Sequence, residues 1–324
     1  MKKFVIIVLL LTLLLAVFSA YAGYKASLED EEPQEDSVTD EPLDEPSGEP
    51  SDEIPDDSLE LDLLEYQLLS DGTYVVSVGE LSDARKIEIP ATHNHAAVTK
   101  IAGMGFRDCF SLEEIVIPES VIQIGESAFR NCSSLKSVTI PEGVDYIKAQ
   151  TFLGCKALTE VDLPEGLTGI GEQAFYDCRK LENIILPTGL KTIGDRAFEK
   201  CTSLPSVSLP DSVETLGVSV FSGTNLTVFD FGNITYIPNE TLARTSLYEA
   251  DIPSTVVGIG DSAFYNCISL KTVIIPTSVV TIGESVFDGC YALTDIYYCG
   301  TEDQWNAIEK PEDLVGSSVT VHFM

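Results

Sequence analysis

The sequence predicts a repeat solenoid: a stack of coils of about 23 residues, each giving one short strand to a shared parallel sheet. Three observations carry this expectation. A large aromatic recurs every 23 residues at Phe106, Phe129, Phe152, Phe175, Phe198 and Phe221, and Leu242, Phe264 and Phe287 continue the series at intervals of 21, 22 and 23. The nine copies share one frame: Val or Leu, Ile three later, Gly-x-x-Ala-Phe, then x-x-Cys-x-x-Leu and x-x-Val-x-Ile-Pro, as from Ile124 to Pro141. A fixed period of this length marks stacked units, because one coil cannot bury its apolar side alone. The 324 residues carry 52 acids, 19 Lys and Arg and 44% hydrophobic residues, enough for a core. The net charge of −33 disfavours nucleic acid, whose binding needs many Lys and Arg to displace counterions, and disfavours anionic lipid likewise.

In chain order, residues 1–22 read as an export signal. Lys2 and Lys3 precede the uncharged run Phe4 to Phe18, and Ala20-Tyr21-Ala22 forms a cleavage pattern. Left uncleaved, the 21 uncharged residues from Phe4 to Tyr24 could anchor the chain across a bilayer core of about 30 Å. Either outcome places the rest of the chain outside the cytoplasm. Residues 23–62 hold 17 acids against Lys25 alone, with prolines at 33, 42, 46, 50 and 55. Like-charge repulsion and proline predict a disordered, extended linker. A calcium loop is not expected there, since its carboxylates are not set around a turn glycine.

Residues 63–100 are expected to form an N-terminal cap, 101–298 the nine repeats, and 299–324 a C-terminal cap. Within a repeat, the alternation from Leu135 to Ile140 turns Val138 and Ile140 inward and Ser137 and Thr139 outward. Proline ends the strand at 118, 141, 164, 187, 210, 253 and 276, because it cannot donate to a ladder. The glycine ahead of Ala-Phe reads as a turn residue chosen for backbone freedom. Two copies depart from the frame: those at Phe221 and Leu242 carry Thr224 and Thr245 near the Cys place, Pro238 replaces the turn glycine, and Phe229-Asp230-Phe231-Gly232 replaces the strand ending. Local geometry is expected to change there.

The recurring Ile-Gly-x-x-Ala-Phe-x-x-Cys-x-x-Leu resembles the BspA-type bacterial leucine-rich repeat family over about 200 of the 324 residues. Leu64-Glu65-Tyr66 with Ser70 to Val76 resembles an opening hairpin, and Gly300-Thr301 with Gln304 to Ile308 a closing cap. The resemblance implies a right-handed leucine-rich-repeat horseshoe, capped at both ends. It further implies an exported or surface-exposed protein whose concave sheet binds other proteins, often in adhesion.

Eight cysteines in an exported chain would ordinarily suggest disulfides. Seven of them, Cys109, Cys132, Cys155, Cys178, Cys201, Cys267 and Cys290, share one repeat phase, which predicts a column of buried free thiols with poor geometry for bridging. Cys299 lies off the column and is the thiol expected to be exposed. No metal or cofactor is expected, since Cys and His do not cluster. Nor is the chain expected to be an enzyme. It has three histidines, His93, His95 and His322, and lacks H-E-x-x-H, G-x-S-x-G and phosphate-loop motifs. Glu160 and Asp162 could imitate glycosidase carboxylates, but each coil presents the same positions, which favours exposed sheet residues. Sequons at Asn131, Asn225, Asn233 and Asn239 matter only in a host that glycosylates them.

The candidate site is the outward side of the stacked strands: Val116, Thr139, Glu160, Asp162, Ile185, Asp230, Asp251, Ile274 and Tyr297. Its acids favour a basic partner, and its apolar members Ile185, Ile274 and Tyr297 invite contact. The expected partner is a protein or glycan at a cell surface or matrix, met by a monomer that touches membrane only through an uncleaved N-terminal segment. The alternative is a passive structural or surface-layer protein.

Overall fold

A computed structural model of the chain describes residues 64–79 and 83–324. The segments read as an export signal and an acidic linker, 1–22 and 23–62, lie outside the described residues. The described residues form a parallel β-solenoid. Its first ladder is built from the strands ahead of the repeating prolines: Lys86–Glu88, Glu114–Val116, Ser137–Thr139, Glu160–Asp162, Ser206–Ser208, Val228–Asp230, Glu249–Asp251, Thr272–Ile275, Asp295–Tyr298 and Thr320–Phe323. Neighbouring rungs are parallel and shifted by one repeat, so that Val138 faces Val161 and Val273 faces Ile296. Each three-residue rung but one alternates exposed, buried, exposed, as the period of two requires; in Val228–Asp230 the central Phe229 is only partly buried. Past each proline the chain turns, and the proline carbonyl accepts from the amide three residues on, Val144 to Pro141 and Val279 to Pro276 for example.

Each coil also holds a second, two-residue strand that the sequence reading did not include. These strands end on the Ile of the frame: Gln123–Ile124, Tyr146–Ile147, Gly169–Ile170, Thr192–Ile193, Thr215–Leu216, Tyr236–Ile237, Gly258–Ile259 and Thr281–Ile282. The glycine that follows has a reason different from the one expected. Gly125, Gly171, Gly194, Gly217, Gly260 and Gly283 do not have positive φ. They are small because the preceding coil runs against them: a Cβ on Gly125 would fall 2.3 Å from Gly103 N, and one on Gly194 2.6 Å from Glu172 N. At this approach each glycine N–H donates to the Ile carbonyl of the coil before, Gly171 to Ile147 and Gly260 to Ile237 at 2.7 Å. Ala102 takes this glycine's place in the first coil, and Lys148 and Pro238 take it further along, where the second ladder is interrupted. The left-handed residues sit further on, in pairs around Ala-Phe, such as Ser127 and Asn131.

The core runs the length of the stack. Phe106, Phe129, Phe152, Phe175, Phe198 and Phe221 lie ring on ring with centroids 5.2–5.5 Å apart. Burying each ring contributes about 1.5–3 kcal/mol. The cysteine column is buried and unbridged, with Cys299 exposed, as its off-column place predicted. Four of the buried thiols also have a role beyond packing: Cys132, Cys155, Cys178 and Cys201 donate to the phenylalanine carbonyl one coil back at 3.1–3.2 Å. Burial pushes the Cys155, Cys178 and Cys201 thiols well above the usual thiol range.

At the start of the stack Leu64–Leu68 and Tyr74–Val78 form an antiparallel hairpin. Thr92–His93 and Ala96–Ile101 pair antiparallel across the left-handed residues Asn94 and His95, and the His93 ring stacks on Tyr66 at 3.8 Å. At the far end the helix Glu302–Asn306 starts from a capping box between Thr301 and Gln304, and it buries Trp305 edge-on against Tyr298. Thr320–Phe323 pairs in parallel with Asp295–Tyr298 as the last rung.

Candidate functional site

The strand alternation puts the predicted residues on one face. Val116, Thr139, Glu160, Asp162, Asp230 and Asp251 are exposed there, and Ile185 is 75% exposed. Ile274 and Tyr297 stand in register on the same face but are half-buried, and the Tyr297 ring is covered by His322, stacked at 4.6 Å. His322 also binds Asp295 at 2.7 Å, and together with Thr294 it holds the Asp295 carboxyl below the usual carboxylate range. Ile185 is therefore the most open of the three apolar candidates.

Charge is distributed unevenly along the face. At its N-terminal end the acids are matched: Lys86 pairs with Glu114 at 2.9 Å, and Glu113 takes both Arg85 and Lys136. Further along, no Lys, Arg or His among the described residues stands within ion-pair distance of Glu160, Asp162, Glu165, Asp230, Glu249 or Asp251. Hydroxyls serve two of them instead, Thr139 donating to Asp162 and Ser208 to Asp230.

The first ladder is itself interrupted at the centre of this acidic stretch. Between Glu160–Asp162 and Ser206–Ser208 the rung at residues 183–186 forms no strand, and among the described residues no backbone hydrogen bond ties it to either neighbour. Concavities open on both sides of it. One of about 480 Å³ is lined by Asn183, Ile185, Ser206, Ser208, Val228 and Asp230, and one of about 200 Å³ by Glu160, Asp162, Glu165, Asn183, Ile185 and Pro187. Val228, 63% exposed, also belongs to this place, on the outward side where strand phase puts it. The interruption had no signal in the sequence, since Ile184, Leu186 and Pro187 keep the frame.

Among the described residues no three His, Cys, Asp or Glu side chains gather where they could hold a metal ion. What the face offers is a wide surface of exposed acids, hydroxyls and a few aliphatic side chains on a rigid scaffold.

Comparison with known proteins agrees with this architecture. Residues 82–187 and 168–294 match the BspA type leucine rich repeat region in six copies. The chain is similar to a leucine-rich repeat protein of Bacteroides ovatus, with 32% identity over 81% of this chain and 76% of that one and a TM-score of 0.65. A leucine rich cell surface protein of Faecalibacterium prausnitzii matches at 25% identity over 84% of this chain and 99% of that one, with a TM-score of 0.39. No curated protein matches. The family match spans 82–294, well over half of the sequence, and its repeats are those whose aromatic and thiol columns build the core; the chain belongs to the BspA-type leucine-rich repeat family.

Proposed function

We propose that this is an exported, surface-held binding protein that engages a protein or glycan through the outward face of its first ladder, without catalysis. The observation that carries the reading is the unmatched acidic stretch from Glu160 to Asp251 around the open aliphatics Ile185 and Val228. Exposed acids with no paired cation among the described residues keep their field for an incoming one, which speeds the approach of a basic surface at low salt. Contiguous exposed apolar side chains on such a face mark contact sites. The export reading of residues 1–22 puts that face outside the cytoplasm.

The test is saturable binding of the purified chain to matrix proteins and cell-surface extracts, measured beside Ile185→Asp/Tyr297→Ala. The expected result is a partner lost in the double variant. Binding by neither protein, or by both equally, favours the passive structural role or a site on the ends of the stack. Sequencing the N-terminus of the secreted protein checks the export half, which expects a mature chain beginning at Gly23.

A further inference from the structure

We infer that the interrupted rung at 183–186 is a two-hole seat for an extended segment of a partner protein, with a Lys or Arg entering one hole and an aliphatic residue two positions away entering the other. The inference rests on the binding role proposed for this face and adds to it the place and the chemistry of the ligand.

Ile185 forms the ridge between the two concavities. On one side the smaller hollow is lined by Glu160, Asp162 and Glu165, with Asn183 beside them and, among the described residues, no cation within ion-pair distance of any of the three. A Lys or Arg head satisfies this charge, and its methylene stem can lie along Ile185 and Pro187. On the other side the larger hollow presents Ile185 and Val228 as its apolar walls, with Ser206 and Ser208 between them. An aliphatic side chain fits there.

Spacing decides the register of the ligand. The hollows lie on opposite sides of one rung, and rungs of a parallel sheet are about 4.8 Å apart, so the hole centres are roughly 5 to 10 Å apart. Alternate side chains on one side of an extended peptide stand about 7 Å apart. A peptide crossing the rungs therefore reaches both hollows with residues i and i+2, and an adjacent pair cannot, because it points to opposite sides.

The experiment uses the full chain and fluorescein-labelled twelve-residue peptides of Thr and Ser read by anisotropy. One holds Lys-Thr-Val at its centre, one Lys-Val-Thr and one Glu-Thr-Val. The Lys-Thr-Val peptide is expected to bind at least tenfold more tightly than the other two. Ile185→Ser and Glu160→Gln/Asp162→Asn are each expected to weaken it about tenfold, with Ile274→Ser leaving it unchanged. Ile185 is largely exposed, so its replacement keeps the fold, which circular dichroism checks. Equal affinity for the three peptides, no binding of any, or no loss in Ile185→Ser overturns the inference. Loss in Ile274→Ser to the same degree also overturns it while leaving the broader face-binding reading intact. That reading fails separately, when the matrix and surface partners show no dependence on the face.

Discussion

The regular coils from Phe106 to Phe221 and the shortened stretch from Phe221 to Phe264 obey the same frame with different materials. In the regular coils the rings stack, the thiols reach back one coil and, except at Lys148, the glycine N–H locks the second strand to its predecessor. In the shortened stretch Leu242 breaks the ring stack, and Phe221 instead meets Phe229 at a tilt of 60°. The Thr224 and Thr245 hydroxyls turn inward to the Phe221 and Leu242 carbonyls of their own coils rather than reaching back. Both ladders are interrupted here, between Thr215–Leu216 and Tyr236–Ile237 and between Val228–Asp230 and Glu249–Asp251. The stretch nonetheless stays buried, with Leu242 and Thr241 fully inaccessible. A coil therefore needs only an apolar filling to remain in the stack, whereas continuity of the second ladder follows the glycine, which is replaced at both of that ladder's interruptions.

The largest expected effect separates the two regions by pH. Burial raises the folded-state Cys155, Cys178 and Cys201 thiols above their unfolded value. Their contribution to stability is complete below the ordinary thiol range near pH 8.5 and is lost as pH rises from there towards the folded value, because only the unfolded chain ionises. Each thiol should cost about 1.4 kcal/mol per pH unit, roughly 4 kcal/mol for the three together. Urea unfolding at pH 8, 9 and 10 measures this slope. Cys178→Thr, which imports the material of the shortened coils, should flatten the slope by one thiol's share; an unchanged slope would refute the assignment.

Next in size is the ring column. Phe175→Ala should lose about 3–5 kcal/mol in the same unfolding assay. It should exceed Leu242→Ala by about 1–3 kcal/mol, since Phe175 gives up two ring contacts and Leu242 none. Equal losses would mean that the stack acts as filling alone. Gly194→Ala follows at about 1–3 kcal/mol, because its Cβ must push the Glu172 backbone away. Hydrogen exchange should then show faster opening of the Thr192–Ile193 rung, imitating the interruptions at Lys148 and Pro238. With no disturbance in that rung, close approach would not explain the glycine.

These cases also show how far the sequence could be read. The ring and thiol columns were legible because a period of 23 repeats residue types that have one use inside a narrow core. The strand face was legible because alternation has only two phases. The purpose of the glycine was not, since a residue without a side chain serves a left-handed turn and a close approach equally well in a sequence. Only the φ values and the position of the preceding coil separate the two. The rung at 183–186 was illegible for another reason: Asn183-Ile184-Ile185-Leu186-Pro187 satisfies the frame, and pairing is a property of two neighbours that neither spells alone. Likewise Tyr297 read as an open aromatic, because the His322 that covers it lies 25 residues away and arrives only through the last rung. The thiols give a direct check: a maleimide should label Cys299 alone of the eight cysteines in the native chain and all eight in urea.

The smallest expected effect bears on function. Ile185→Ser should change stability by no more than about 0.5 kcal/mol, because the side chain is open to solvent and the rung that carries it is not hydrogen-bonded to its neighbours. Val207, one coil on and buried at the centre of Ser206–Ser208, should by contrast cost about 2–4 kcal/mol when cut to Ala. Measured together by urea unfolding, the two variants compare an interrupted rung with an intact one. A loss at Ile185 as large as at Val207 would mean that the rung is held by packing around Ile185, so that the isoleucine serves the fold. A negligible loss leaves a costly exposed aliphatic in the middle of an acidic face with no structural use, and binding is then what its exposure serves.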